Sequence, residues 1–313
     1  MEVEFTVEPN YAGWRLDRYL CEKIRRLSRA RVQRLIASAL VSERPLKPST
    51  LVQPGLRFRL RRRKETEPPT PDHLREVYLD GAILVVDKPA GLPMHPTARY
   101  HHGTLVSLLR RRYGEDFRAD PAHRLDRETS GLVLCGRTLE SCQRLMRAFA
   151  RGEVRKRYLA ICEGWPGVPS FEVDAPIAEG TPEVRVAVRI DPERGKPAQT
   201  GFEVLERFRR GEARFSLLRA SPRTGRQHQI RVHLRHAGYP IVGDKVYGPD
   251  PGYFDRFSRG VLEPQAWERL LLPRQALHAA ALTFAHPVTG TPCAFESPLP
   301  DDLQTFITGS VQG

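Results

Sequence analysis

The stretch HRLDRETSGLVLCG, His123 to Gly136, decides the reading of this chain. One aspartate, Asp126, stands between Arg124 and Arg127; a Thr-Ser-Gly turn follows, then a short apolar run closed by Gly136. Turn residues ahead of such a run indicate a buried strand with the aspartate in the loop at its mouth. A carboxylate placed there has three uses. It pairs with arginine as scaffold, takes a proton as a general base, or attacks an electrophilic sugar carbon, as in retaining glycosidases. The last two need it ionised, and nearby guanidinium groups favour that state.

The rest of the chain narrows the classes. With 313 residues, 40% of them hydrophobic, it can bury one full core and has length for two. It has no run of eighteen apolar residues, and MEVEFTVEPN lacks the basic start and apolar stretch of a signal peptide, so a cytoplasmic protein without a membrane anchor is expected. The five cysteines show no Cys-x-x-Cys spacing and read as buried free thiols. No carboxylate or cysteine completes a ligand set around the histidines, so no metal is expected. A phosphate-cradling loop, a dinucleotide glycine fingerprint, a Gly-x-Ser-x-Gly elbow and a His-Glu-x-x-His pair are all missing, and no cofactor is implied.

Charge is unevenly divided. Residues 1–64 hold 16 Lys and Arg against 6 Asp and Glu, a net of +10; subtraction from the totals of 50 and 37 leaves 34 against 31, a net of +3, for residues 65–313. A charge so concentrated favours a polyanion, with nucleic acid first, over a merely solvated face. In RLDRYLCEKI, Leu16, Tyr19, Leu20 and Ile24 form one helical stripe; Ser28 should cap a second helix with Val32, Leu35, Ile36 and Ala39 inward, leaving Arg29, Arg31 and Arg34 outside to bind RNA. LRFRLRRR alternates as a strand, with Phe58 and Leu60 inward. KETEPPTPDHLR reads as an extended linker, residues 65–76, before a domain over residues 77–313.

That domain mixes strands (AILVVDKP, GLVLCG, RKRYLAICEG, VRVAVRI, QTGFEVLERF, ARFSLLRAS) with helices at TLVSLLRRRYG, LESCQRLMRAFA and RQHQIRVHLRHAG. In the second helix Leu145, Met146 and Phe149 are expected inward. Strands in succession indicate an α+β fold with a mixed, largely antiparallel sheet.

Two resemblances sharpen this. RLDRYL, LSRARVQRLIASALV and VQPGLRFRL make residues 13–62 similar to the small α/β RNA-binding domain named after ribosomal protein S-four, although SERPLKPS stands where its usual Asn-Gly turn would be; residues 1–64 are assigned to it. HRLDRETSGL resembles the signature of the RluA-type pseudouridine synthase family, and DKPAGLPMHP, RKRYLAICEG, TGRQHQIRVHLRHAGYPIVGDKVYG and LPRQALHAAALTFAHPVTG resemble four further segments of that family in the same order. The resemblance implies the pseudouridine synthase fold and isomerisation of uridine in RNA. The bond from base nitrogen to ribose is cut, the uracil turns, and it is rejoined through carbon 5.

By the same resemblance Asp126 is the catalytic aspartate, as nucleophile at the anomeric carbon or as base at a sugar proton. Tyr158 is the active-site tyrosine, and Arg231 the arginine that pairs with the aspartate. Arg124 is the wedge that fills the gap left by an extruded base. Arg127 touches phosphate or forms a surface salt bridge, and Arg226 is suited to phosphate. His123, His228 and His233 hold loops, while His278, Tyr247 and Gly243 are scaffold. Large-subunit ribosomal RNA is the first expected substrate and transfer RNA the second, for a protein acting as a monomer. Two other classes stand beside this one: a glycoside hydrolase with Asp126 as nucleophile and Glu128 as acid, and a non-catalytic RNA-binding or ribosome-assembly factor.

Overall fold

The computed structural model describes residues 2–25, 27–61, 67–97, 99–114, 116–180 and 187–309. The chain divides into two compact units, residues 1–66 and 67–313. In the first, β1 (Glu2–Thr6), α1 (Leu16–Lys23), α2 (Arg29–Ala39), β2 (Leu40–Val41) and β3 (Arg57–Arg61) form a sheet in the order β1-β3-β2 with two helices. The alternation of LRFRLRRR appears as predicted, Phe58 and Leu60 buried and Arg57, Arg59 and Arg61 exposed. They close a core with Leu16, Tyr19, Leu20, Val32 and Ile36. Ser28 has the extended backbone of an N-cap, but its side chain caps nothing.

The second unit runs β4 (Arg75–Leu79), β5 (Ile83–Lys88), α3 (Leu105–Tyr113), β6 (Asp120–Pro121), β7 (Ser130–Gly136), α4 (Leu139–Ala150), β8 (Arg155–Glu163), β9 (Ser170–Asp174), β10 (Ile177–Glu179), β11 (Val188–Ile190), β12 (Gln199–Arg210) and β13 (Ala213–Pro222). It continues through α5 (Gln229–His236), α6 (Tyr253–Arg259), α7 (Pro264–Leu270), β14 (Leu277–Ala285), β15 (Pro292–Glu296) and α8 (Asp301–Thr308). The main sheet has the order β4-β5-β7-β14-β8-β13-β12-β9. Its pairings are antiparallel except β7 with β14, so the fold is α+β with a mixed, largely antiparallel sheet.

The central strand β7 is buried along its whole length, which is why its sequence is an unbroken apolar run and does not alternate. Gly131 sits at φ 112° where β14 passes closest, and a Cβ there would fall on the backbone of Ala279. Glycine is therefore required at the end of the Asp126 loop.

Two expectations need correction, and a third is described only in part. Met146 is 53% exposed; α4 buries Ser141, Cys142 and Leu145. Successive residues lie about 100° apart on a helix, and that step carries Met146 off the edge of a stripe centred on Cys142 and Leu145. The linker does not run free to residue 76: the Glu67 carboxylate accepts the N–H groups of His102 and Gly103 at 2.9 and 2.6 Å, and β4 already begins at Arg75. Of the strand read in VRVAVRI, residues 184–186 lie outside the described residues, and Val188–Ile190 is strand.

Candidate active site

The loop between β6 and β7 carries Asp126 into a tight turn, closed by the Thr129 N–H donating to the Asp126 carbonyl at 3.1 Å. The turn is fastened through Arg127, whose carbonyl accepts the Gly91 N–H at 2.8 Å and Lys88 Nζ at 3.1 Å. Lys88 is fully buried and also donates to the Pro89 and Leu92 carbonyls, so its three acceptors match the three donors of an ammonium. Burial nonetheless pushes its pKa down to about 7.

The arginine that holds Asp126 is neither of its neighbours in sequence. Arg231, on α5, donates from Nη1 to Asp126 Oδ2 at 2.8 Å. Its Nε and Nη2 donate to the two oxygens of Asp244 at 2.7 and 2.8 Å, and Asp244 also accepts the N–H groups of Val246 and Tyr247. Gln275 Nε2 donates to Thr129 Oγ1 at 2.6 Å and reaches Asp126 Oδ2 at 3.4 Å. Burial, the largest influence, would raise the Asp126 carboxyl; the Arg231 charge and the hydrogen bonds from Arg231 and Gln275 act against it, and the balance holds the group below the ordinary carboxylate range. The same balance lowers Asp244 and keeps Arg231 charged.

Tyr158 lies on β8, in register with Ala220 of β13 and Ala279 of β14. It is half-buried and lines the same cleft as Asp126 and Arg231. Burial, then the Asp126 charge, pushes its phenol well up, so it stays protonated. The cleft is about 1170 Å³, beyond the roughly 300–1,000 Å³ of small-molecule pockets, which suits a polymer. Arg124, Arg151, Lys156, Arg189, Arg194, Lys196, Arg223 and Arg226 line it, against Asp126 and Glu179. Such a lining attracts a phosphate backbone.

Arg124 is exposed at this cleft and has no ion-pair partner among the described residues. Arg226 shares the lining, its Nε donating to the Pro197 carbonyl at 3.2 Å. Arg127 does not. Its guanidinium bonds the Tyr100 hydroxyl and pairs with Glu128 at 3.1 Å, so of its two readings the geometry favours the salt bridge over a phosphate contact. Glu128 is spent as well, on Lys245 Nζ at 3.0 Å, and it does not line the cleft. The hydrolase reading thereby loses its acid.

Arg29, Arg31 and Arg34 are exposed on α2 of the smaller unit, but Arg29 donates to the buried Asp17. His123 and His233 hold loops: His123 Nε2 accepts the Leu134 N–H at 3.0 Å, and His233 bonds Thr200 Oγ1 and the Ala175 carbonyl. The reading from sequence missed Asp244, Gln275 and Lys88. No group of three or more His, Cys, Asp or Glu able to hold a metal occurs among the described residues, and no helix among them is long and apolar enough to cross a membrane.

Comparison with known proteins bears on the family and the fold. A family model described as RNA pseudouridylate synthase matches residues 82–236. The chain is 39% identical to a Chloroflexus aurantiacus protein named uncharacterized RNA pseudouridine synthase, over 96% of this chain and 91% of that one. It is 36% identical to ribosomal large subunit pseudouridine synthase D of Nitrosomonas europaea, over 97% of this chain and 87% of that one. Among solved structures, human RNA pseudouridylate synthase domain containing 1 superposes with a TM-score of 0.58 at 26% identity, covering 79% of this chain and 98% of that one. A carboxylate held by a buried arginine in a cationic cleft, on this sheet and with relatives this similar over nearly the whole length, leaves one assignment: the chain belongs to the RluA-type family of RNA pseudouridine synthases, which are isomerases.

Proposed function

We propose that the enzyme isomerises specific uridines of large-subunit ribosomal RNA in the cytoplasm, with Asp126 as the reacting carboxylate. The observation that carries the chemistry is the Asp126–Arg231 pair at 2.8 Å inside a cleft lined by cations. Arg231 keeps the carboxylate ionised and aimed. Tyr158, neutral and beside it, stacks on the uracil and handles the proton at carbon 5. Arg124 occupies the space left by the extruded nucleotide, and Arg226 meets phosphate.

The choice of ribosomal RNA rests on relatives. Proteins named ribosomal large subunit pseudouridine synthase D from Nitrosomonas europaea and Xanthomonas campestris are each 36% identical to the chain over at least 96% of its length. Residues 1–64 act as an S-four-like RNA-gripping domain; its support is the net +10 and the sheet with two helices that presents Arg31, Arg34 and Arg57 to solvent. Mapping pseudouridines across all stable RNAs, in a strain lacking the protein and in that strain complemented, tests the proposal. Loss and restoration at positions in large-subunit ribosomal RNA is the expected result; loss confined to transfer RNA replaces the substrate.

A further inference from the structure

The two oxygens of Asp126 have unlike surroundings. Oδ2 accepts from Arg231 Nη1 and Gln275 Nε2. Oδ1 accepts no hydrogen bond among the described residues and faces His228 Nε2 at 3.6 Å.

His228 is built into this place at some cost. Its backbone is left-handed, φ 52° and ψ 19°, at the start of α5. Few residues other than glycine adopt that region, and those that do are held by their surroundings. Here the holder is Tyr247, whose hydroxyl lies 2.9 Å from His228 Nδ1 with the two rings edge to face. That hydroxyl accepts the Val188 N–H at 2.7 Å, and among the described residues Nδ1 is the acceptor left for its proton. Burial pushes the Tyr247 phenol up, so the proton stays on it. A neutral imidazole carries one N–H, and when Nδ1 accepts, that N–H is on Nε2, the atom that faces Oδ1.

We propose that His228 is a positioning residue for the isomerisation: Tyr247 fixes it as the neutral Nε2–H tautomer, and that N–H faces Asp126 from 3.6 Å, too far to bond it, so that Oδ1, not Oδ2, is left as the oxygen that reacts. The inference rests on the reading of Asp126 as the reacting carboxylate. It holds for either chemical route. Oδ1 gives its electron pair to the anomeric carbon, or it takes the proton from the neighbouring sugar carbon. In both, the bond from ribose to base nitrogen breaks and its electron pair leaves with the uracil.

Neutrality of the ring matters, because an imidazolium would form a second full ion pair with Asp126 and engage the reactive oxygen. Burial disfavours that cation most, and Arg231 and Arg124 add to it, against Asp126 and Asp244, which favour it. The balance lowers His228 to about 4, so the ring is neutral at physiological pH.

The test uses the full-length protein and total RNA labelled with tritium at uridine carbon 5, taken from a strain lacking the enzyme. His228→Asn suits the left-handed backbone but is too short to present an N–H at the same point; Tyr247→Phe keeps the ring and removes the hydroxyl. Each should slow single-turnover tritium release at saturating enzyme by about tenfold, the scale of a modest misplacement of a reacting group, with the half-saturating enzyme concentration nearly unchanged. In Tyr247→Phe the loss should deepen as pH falls from 8 to 5.5, because Nδ1 is then free to take a proton. Ring nitrogen NMR of the wild type, assigned by the signals missing in His228→Asn, should show the Nε2–H tautomer throughout that range.

An Nδ1–H or charged ring in the wild type at pH 7 overturns the inference without recourse to any variant, and so do wild-type rates in both variants. Asp126→Asn separates the two levels. If it is inactive while the His228 and Tyr247 variants are normal, only this inference falls; if it turns over normally, the reading of Asp126 falls with it.

Discussion

Asp244 grips Arg231 with both carboxylate oxygens, at 2.7 and 2.8 Å, and so leaves Nη1 as the one arm that reaches Asp126. Asp244 and Arg231 are both buried, and removing one partner of a buried pair typically costs about 3–5 kcal/mol. Asp244→Asn should therefore lower the melting temperature clearly and slow tritium release, while Asp126 itself is untouched. The pH dependence of stability carries a sign. The Asp244 carboxyl lies below its ordinary value in the fold, so its contribution is complete above the unfolded pKa of about 3.9 and is lost as pH falls through the lower folded value. Melting curves between pH 7 and 2.5 should show the gap between wild type and Asp244→Asn narrowing at the acid end; a constant gap would mean that the charge of Asp244 is not what stabilises Arg231.

Asp126→Asn should abolish tritium release from RNA labelled at uridine carbon 5 yet leave RNA binding nearly intact. An amide keeps the shape but supplies neither a nucleophilic oxygen nor a base. Arg231 stays neutralised by Asp244, so the variant should fold with a melting temperature within a few degrees of wild type. Filter binding and melting curves run beside the assay separate loss of chemistry from loss of structure.

Tyr158 offers a two-step test. Tyr158→Phe keeps the ring on β8 but removes the hydroxyl, and should slow the reaction without weakening binding. Tyr158→Ala removes the stacking face too, and base–aromatic stacking is worth about 1–3 kcal/mol, so binding should also weaken by roughly tenfold or more. Because burial and the Asp126 charge keep the phenol protonated, the wild-type rate should show no ionisation of Tyr158 up to pH 10. Equal, wild-type behaviour of both variants removes Tyr158 from the site.

What was legible in the sequence was what sequence neighbours decide. The alternation of Phe58 and Leu60 and the buried run of β7 are local patterns with a physical cause, whereas Gly131 was legible only as part of a Thr-Ser-Gly turn, because the backbone of Ala279 that demands glycine there comes from a strand far along the chain. The partner of Asp126 was not legible from spacing. Two arginines adjoin it, yet the one that holds it comes from 105 residues away, and only the resemblance of HQIRVHL to a family segment pointed there. Asp244 stood in VGDKVYG, a segment read as scaffold, and Lys88 and Gln275 stood in the quoted segments DKPAGLPMHP and LPRQALHAAALTFAHPVTG with nothing to single them out, because their roles exist only once β5, β7 and the residues before β14 are side by side. The ion pair of Glu128 with Lys245 is equally long-range, and it excluded the hydrolase reading that spacing alone had left open.

The basic N-terminal unit gives the test least dependent on the active site. Its own core, around Leu16, Tyr19, Val32, Ile36 and Phe58, is built from residues of this unit alone, so a chain beginning at Glu67 should keep its fold. Several of its cations are internally engaged: Arg15 and Arg29 with Asp17, Arg59 and Arg61 with Glu2. Arg31, Arg34, Arg57 and Lys47 have no ion-pair partner among the described residues. If those four meet phosphates, deleting the unit should flatten the slope of log affinity against log salt by roughly 3, at about 0.7 per single-strand phosphate contact. Affinity at low salt should fall with it, whereas single-turnover catalysis on a short RNA at saturating enzyme should change far less, since Asp126, Tyr158 and Arg231 all lie beyond the cut. Reversing Arg31 and Arg34 together to Glu in the full chain should reproduce about half of the change in slope. A truncated protein that is folded and binds RNA with an unchanged salt slope would remove the unit as the RNA grip and make its charge a solvated surface.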